Sequence, residues 1–236
     1  MVSNGTMILC DNLVKIYQVQ DLEVVALQGL DLLIDRGEFV GIIGPSGSGK
    51  SSLLNILGGL DRQTAGKAVV DGQDLLKLSS AALTKYRRDK VGFLWQQPSR
   101  NLIPYLSVMD NVELPMLLAG KGVGERQEWA RELLENVSLW ERRDHAVHQL
   151  SGGEQQRTAI AVALANKPVI LLADEPTGEV DTATAQQILS TLRYLNETYD
   201  LTLIVVTHDV RISDQVDRVV SIRDGRTSSE RFRRVH

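Results

Sequence analysis

The octapeptide Gly44-Pro45-Ser46-Gly47-Ser48-Gly49-Lys50-Ser51 constrains this chain more than any other stretch. It matches the phosphate-binding pattern G-x-x-x-x-G-K-[ST] in full. The run before it, Phe39-Val40-Gly41-Ile42-Ile43, is apolar and reads as a buried strand. The run after it sets Leu53, Leu54 and Leu57 on one helical face, and Gly58-Gly59 close the helix. Strand, glycine-rich loop and helix therefore follow in the order that phosphate binding requires. The glycines let successive backbone N–H groups turn onto a phosphate, and the helix start adds about half a positive charge. Lys50 can reach the β- and γ-phosphates, the Ser51 hydroxyl can ligate Mg²⁺, and Ser52 follows in the same first turn.

Length and charge narrow the setting. A chain of 236 residues suits one large α/β domain with an ample core, spanning residues 1–236. Thirty acidic residues against 26 basic ones give a net charge of -4, so no nucleic-acid partner is expected. Cys10 is the one cysteine and has no intrachain partner, which fits a reducing compartment. No apolar run approaches the ~20 residues needed to span a bilayer, and Met1 to Gly5 lack a signal-peptide pattern. A membrane role is expected to come through a partner.

Along the chain, short antiparallel strands are expected at Met7–Cys10, Glu23–Leu27 and Leu30–Ile34, with Tyr17 as a half-buried strand aromatic among them. Ala68–Gly72 reads as a strand meeting a turn. Ser79 or Ser80 caps a helix running to about Arg88, and Val91–Trp95 is a strand broken at Pro98. From about 98 to 150 the composition turns to prolines and glycines around a helix at Glu125–Val137, and an inserted helical subdomain is expected. An alanine-rich helix follows over Thr158–Asn166. Val169–Ala173 is apolar throughout and reads as a buried parallel strand. A helix at Thr182–Tyr199 and strands at Leu201–Val206 and Arg218–Ile222 complete the core, and the polar tail from Thr227 to His236 is expected to fray. The fold class is α/β: a P-loop NTPase core with a mainly parallel sheet, an N-terminal antiparallel β-subdomain and an inserted α-helical subdomain.

Three further groups carry chemistry. Asp174-Glu175 follow a buried strand, where open α/β sheets place ligands. With a phosphate loop in the same chain, Asp174 is a Mg²⁺ ligand and Glu175 is free to orient or deprotonate a water. His208 ends the next strand and can donate to the γ-phosphate or to the charge that develops there. Ser151-Gly152-Gly153 open a helix, a second small-residue N-terminus suited to phosphate. One lysine-bearing loop and two phosphate-binding helix ends are compatible with a second copy of the chain completing the site. His145 and His148 are spaced H-x-x-H without a third ligand, and a solvated helix end accounts for them better than a metal.

Taken in order, Gly44–Ser51, Gln96, Leu150-Ser151-Gly152-Gly153-Glu154-Gln155-Gln156-Arg157, Val169–Glu175 and His208 resemble an ATP-binding cassette (ABC) ATPase over about Met7 to Arg226. Asn55-Ile56-Leu57-Gly58-Gly59-Leu60-Asp61 and Ala173-Asp174-Glu175-Pro176-Thr177-Gly178 look like the branch of macrolide-export and lipoprotein-releasing ATPases, with the bacteriocin-resistance and cell-division ATPases. The resemblance implies two copies sandwiching two ATP molecules. Lys50 of one would hold the phosphates while Ser151 and Gly153 of the other close on the γ-phosphate. It makes Tyr17 the aromatic that stacks on adenine, Gln96 the glutamine that senses Mg²⁺ and the attacking water, and Asp181 the aspartate of the loop crossing the dimer. That loop departs from the family pattern, because Glu179-Val180 stand where Asn or Ala, then Leu, are usual. Catalytic roles thus fall to Glu175, His208 and Gln96, and metal ligation to Ser51, Gln96 and Asp174, with ATP and Mg²⁺ as cofactors.

The implied activity is ATP hydrolysis driving a separate permease, FtsX-like or another ABC membrane subunit, for export or extraction of a hydrophobic compound, peptide or lipoprotein. The implied location is cytoplasmic, peripheral on the inner face of the membrane. Arg100–Leu106 would lie where the permease docks, although Leu102, Ile103 and Leu106 serve equally as subdomain core. A non-transport mechanotransmission or sensing ATPase, and a non-catalytic nucleotide module, are the alternatives.

Overall fold

The computed structural model describes residues 5–20, 22–208 and 210–232. Two sheets face each other across one of two apolar cores. The first begins with a long antiparallel hairpin, β1 (Thr6–Val19) and β2 (Leu22–Asp35), each of 14 residues. With β4 (Ala65–Val70) and β5 (Gln73–Asp74) it forms the order β2-β1-β4-β5. The three short strands expected here are therefore two long ones. Polar residues between the expected strands sit in bulges: the register shifts between Cys10 and Leu13, where Asn12 turns to φ 48° and its N–H donates to Asp31 at 2.7 Å.

The second sheet has the order β10-β9-β3-β8-β7-β6, with β10 (Arg226–Phe232) at its edge. Its strands β3 (Phe39–Ile43), β6 (Val91–Leu94), β7 (Ile170–Asp174), β8 (Thr202–Thr207) and β9 (Arg218–Arg223) run parallel. Side chains alternate between two cores because successive residues of a strand point to opposite faces. Val40, Ile42, Leu172 and Ile204 pack with the first sheet and with α1 (Lys50–Leu57). Phe39, Leu171, Leu203 and Val205 pack on the other side against α5 (Gly152–Leu164) and α6 (Thr182–Tyr199). Burial on both faces explains why these strands read as continuous apolar runs.

Between β6 and α5 the chain is helical, with α3 (Val108–Leu118) and α4 (Val123–Asn136) as its main elements. Helix α2 (Ser80–Lys90) precedes β6 and is capped by Ser79, whose hydroxyl accepts from the Ala82 N–H. Helix α3 has no counterpart in the sequence reading. Pro115 lies inside it and masked its apolar spacing at Val108, Val112 and Met116. Helix α5 begins at Gly152, well before Thr158. Ser151 and Glu154 form a reciprocal capping box that holds the glycine pair in the helix.

The tail also differs from expectation. Residues Arg226–Phe232 form β10, antiparallel to β9, and the Thr227 hydroxyl donates to the Asp31 carbonyl at 2.6 Å. A sheet edge offering unpaired backbone groups overrode the polar composition. The rest of the expected fraying segment, 233–236, lies outside the described residues.

Candidate nucleotide site

Strands β3, β8, β7 and β6 are neighbours, and all four deliver functional residues from their C-terminal ends. The register pairs Ile43 with Thr207, Asp174 with Val206, and Leu94 with Ala173. The phosphate loop, His208, Asp174-Glu175 and Gln96 consequently emerge side by side, although up to 164 positions separate residues such as Gly44 and His208. This is the end of an open parallel sheet where ligands bind.

The loop conformation demands its glycines at two points. A Cβ on Gly44 would sit 2.2 Å from the Ile222 carbonyl oxygen, and one on Gly49, at φ 100°, would sit 2.4 Å from the Ala26 oxygen. The loop is tied down by the turn after β9, where the Gly225 N–H donates to the Ser48 carbonyl at 3.1 Å. The Ser48 hydroxyl is buried and, among the described residues, has no hydrogen-bond partner. Lys50 is buried too, and its ammonium arches over the loop to the carbonyls of Gly44 (2.8 Å) and Pro45 (2.9 Å). Pro45, Ser46 and Gly47 form the exposed crest, where a Cβ on Gly47 would meet nothing within 4 Å.

The Ser51 hydroxyl donates to an Asp174 carboxylate oxygen at 3.4 Å. Burial pushes the Asp174 carboxyl up from its ordinary value and the adjacent Glu175 charge adds to this, while the Ser51 bond and the charges of Lys50 and Arg100 pull it back. Glu175 adopts φ 48°, a left-handed conformation uncommon for its residue type, anchored by its N–H to the Val206 carbonyl at 2.8 Å. That turn brings its carboxylate 2.6 Å from Nδ1 of His208, whose ring is 71% exposed. Gln96 is exposed and reaches the loop after Glu175, its Nε2 lying 3.1 Å from where a Cβ on Gly178 would be.

Tyr17 lies beside the start of α1. Its hydroxyl donates to Asp61 at 2.8 Å and lies 3.4 Å from the Ser52 hydroxyl, while the Lys15 ammonium stands 4.6 Å from the ring centroid and 2.7 Å from Asp61. Burial, chiefly, raises the Tyr17 phenol. Sequence reasoning missed Lys15 and Asp61 as supports, since their pairing spans 46 positions and no local pattern signals it.

Ser151, Gly152, Gly153 and Asp181 form a separate group. Asp181 caps α6 by accepting from the N–H groups of Ala183 and Thr184 and from the Thr184 hydroxyl, which together hold its carboxyl below the usual range. A Cβ on Gly153 would come within 2.7 Å of the Thr184 methyl, so the starts of α5 and α6 meet there. These residues line one groove with Glu179, and that groove shares no lining residue with the phosphate loop. Another cavity, between Trp129, Lys167, Tyr199 and Leu201, lies where the chain enters β7 and β8, at the ends opposite the phosphate loop.

A family model described as "ABC transporter" matches residues 27–178. An uncharacterized ABC transporter ATP-binding protein of Thermotoga maritima is 50% identical over 212 residues, covering 90% of this chain and 89% of its own length. The ABC transporter ATP-binding protein MJ0796 of Methanocaldococcus jannaschii is 46% identical over 228 residues, covering 95% of this chain and 96% of its own. Its solved dimeric structure, a post-hydrolysis state bound to ADP and Pi, superposes with a TM-score of 0.87 at 43% identity, covering 98% of this chain and all of that one. The macrolide export ATP-binding/permease protein MacB of Rhodopirellula baltica is 46% identical over 213 residues, which are 89% of this chain and 31% of that protein. With a family model matched over more than half its length and relatives of this identity along nearly all of it, the chain belongs to the ABC transporter family as one of its ATP-binding cassettes.

Proposed function

We propose that this cassette binds ATP with Mg²⁺ between two head-to-tail copies of itself and hydrolyses it to drive a separate membrane permease. One observation carries the reading. Four adjacent strand ends gather the phosphate loop, Glu175, His208 and Gln96, whereas the second phosphate-suited helix start, at Ser151, lies in a groove of its own. A helix start with two small residues and an exposed face suits an anion, and the partner copy supplies it. The dimeric MJ0796 cassette with ADP and Pi supports this arrangement.

In this reading the loop amides from Gly44 to Ser51 and the Lys50 ammonium cradle the phosphates, exchanging the Lys50 bonds to Gly44 and Pro45 for phosphate oxygens. Tyr17 lies under the adenine, and Ser52 stands beside it. The oxygen donors Ser51, Asp174 and Gln96 fit Mg²⁺, a hard cation that takes few protein ligands and completes its shell with phosphate and water. Held by these residues, the metal would supply neutralisation of charge on the phosphates. A cation also suits a half-buried Asp174 whose charge is otherwise disfavoured. Glu175 orients and deprotonates the attacking water, held by its contact with His208, and His208 donates toward the γ-phosphate.

No helix among the described residues is long and apolar enough to cross a membrane. The membrane partner in this reading is a permease, FtsX-like or of another ABC type, with the cassette on the cytoplasmic face, in line with the likeness to the ATP-binding/permease protein MacB. Its docking surface lies on the helical region: Leu102 is core, but Tyr105, Leu117 and Leu118 are 80%, 53% and 74% exposed. The likeness to MacB, a macrolide export protein, favours export or extraction of a hydrophobic compound, peptide or lipoprotein. The test is hydrolysis by Glu175→Gln, with turnover expected to fall about 10²–10⁴-fold. Unchanged turnover would remove Glu175 from the mechanism.

A further inference from the structure

Among the described residues, two charged side chains at the margins of the two groups make no ion pair. Arg100 ends the 3-10 turn Pro98–Arg100, just after Gln96. Its guanidinium carbon lies 3.6 Å from the Trp95 ring centroid, and Trp95 stacks on Phe93 with centroids 4.0 Å apart. Asn101 fixes the turn, donating to the Phe93 carbonyl at 2.7 Å and accepting from the Trp95 N–H at 3.0 Å. Arg100 is thus clamped, exposed and, among the described residues, outside ion-pair distance of any carboxylate. It follows Gln96 at the C-terminal end of β6, on the side of the sheet where Asp174 and the phosphate loop emerge.

Glu179 is the complement. It is exposed, forms no ion pair among the described residues, and lines the groove that holds Ser151, Gly153 and Asp181. Arg157 lines that groove too, yet its charge acts on Glu154 and it makes no ion pair with Glu179. A carboxylate here opposes the approach of a polyanion to two helix starts. That opposition is relieved if a cation arrives with the phosphates, and Arg100, unlike the buried Lys50, is an exposed cation at the rim of the phosphate side that makes no ion pair among the described residues.

We propose that Arg100 of one copy pairs with Glu179 of the partner subunit across the ATP-bound dimer, so that closure is gated by this trans ion pair. The inference rests on the dimer reading given above. It assigns a role to the Glu179 departure: the carboxylate rejects ATP in a lone groove and accepts it when the partner's Arg100 comes too. Fixing Arg100 on Trp95 lowers the ordering cost that makes most exposed pairs weak.

The test uses charge reversal in the Glu175→Gln chain, with ATP-driven dimerisation followed by sedimentation. Arg100→Glu and Glu179→Arg each set like charges face to face, and each is expected to weaken dimerisation about tenfold or more. The doubly reversed chain should recover to within about threefold of its parent. Both side chains are exposed and outside the core, so circular dichroism should not move and the melting temperature should fall by no more than the few degrees that loss of the Arg100–Trp95 contact accounts for. Cys10 is buried, so Arg100→Cys with Glu179→Cys should give an ATP-dependent crosslink between copies with a short bismaleimide, whose reach replaces that of the two long side chains and exceeds a disulfide's. If Glu175→Gln dimerises with ATP but the double reversal adds its defects and no crosslink forms, the pair is wrong and the dimer stands. If Glu175→Gln stays monomeric with ATP, the dimer reading fails and the pair falls with it.

Discussion

Tyr17 separates what its ring does from what its hydroxyl does. The hydroxyl is bonded to Asp61 and lies beside Ser52, while the ring carries the Lys15 ammonium at 4.6 Å. Replacing Tyr17 with Phe removes the hydroxyl alone. Asp61 keeps the Lys15 ammonium at 2.7 Å and the Arg62 N–H at 2.7 Å, so it is not left unpaired. The loss is then that of one partly exposed hydrogen bond, about 1 kcal/mol of fold stability, with ATP affinity unchanged within about twofold. Replacing Tyr17 with Ala also removes the stacking face. Aromatic–base stacking is worth about 1–3 kcal/mol per base, so the ATP dissociation constant should rise by about 5- to 150-fold. Equilibrium binding of a fluorescent ATP analogue to both variants, with melting temperatures as the folding control, gives the comparison. Equal weakening by Phe and Ala would show that the hydroxyl network, not the ring, matters. No weakening by Ala would return Tyr17 to a purely structural strand residue.

Other expectations follow from the same geometry. Gly44→Ala places a methyl 2.2 Å from the Ile222 carbonyl oxygen, so the loop must move; ATP binding should be lost by calorimetry, with a melting temperature several degrees lower, whereas Gly47→Ala, which meets no neighbour within 4 Å though at φ 78°, should damage the fold less. Asp71 links Arg36 and Lys90: burial pushes its carboxyl up, but the two cations outweigh this and leave it lowered. A lowered folded pKa means that its stabilisation is present above the unfolded value of about 4 and disappears as pH falls through the folded one. Asp71→Asn should therefore shrink the gap in melting temperature between pH 7 and pH 3, and an unaltered gap would deny the linkage.

Most of the nucleotide-binding half was legible because its signals are local. Phe39–Ile43, Gly44–Ser51 and Leu53–Leu57 encode strand, loop and helix within one short stretch, and Thr182–Tyr199 appears as a helix with those same bounds. What escaped depends on pairing between distant residues. Asn12 and Gly29 look like strand breakers, yet they meet as bulges within one hairpin, where a Cβ on Gly29 would sit 2.6 Å from the Asn12 side-chain oxygen. Residues Arg226–Phe232 are polar and form a strand because β9 offers them an edge. Helix α3 was hidden by Pro115, although its Ser107 cap and its spacing from Val108 to Met116 were present. Within the site, residue types announced Lys50, Asp174, Glu175 and His208. The approach of Glu175 to His208 and the tether from Gly225 to the loop come from sheet register, which no single stretch contains.

The central claim is that the phosphate loop holds half of a nucleotide site and that a second copy supplies the rest. The most direct measurement is the solution mass of Glu175→Gln, by light scattering, with and without ATP and Mg²⁺. The account expects a monomer of 26.1 kDa that doubles in mass only with ATP, and that reverts to monomer when Ser151 is replaced by a bulky Phe. A Glu175→Gln chain that binds ATP tightly yet keeps the monomer mass would contradict it.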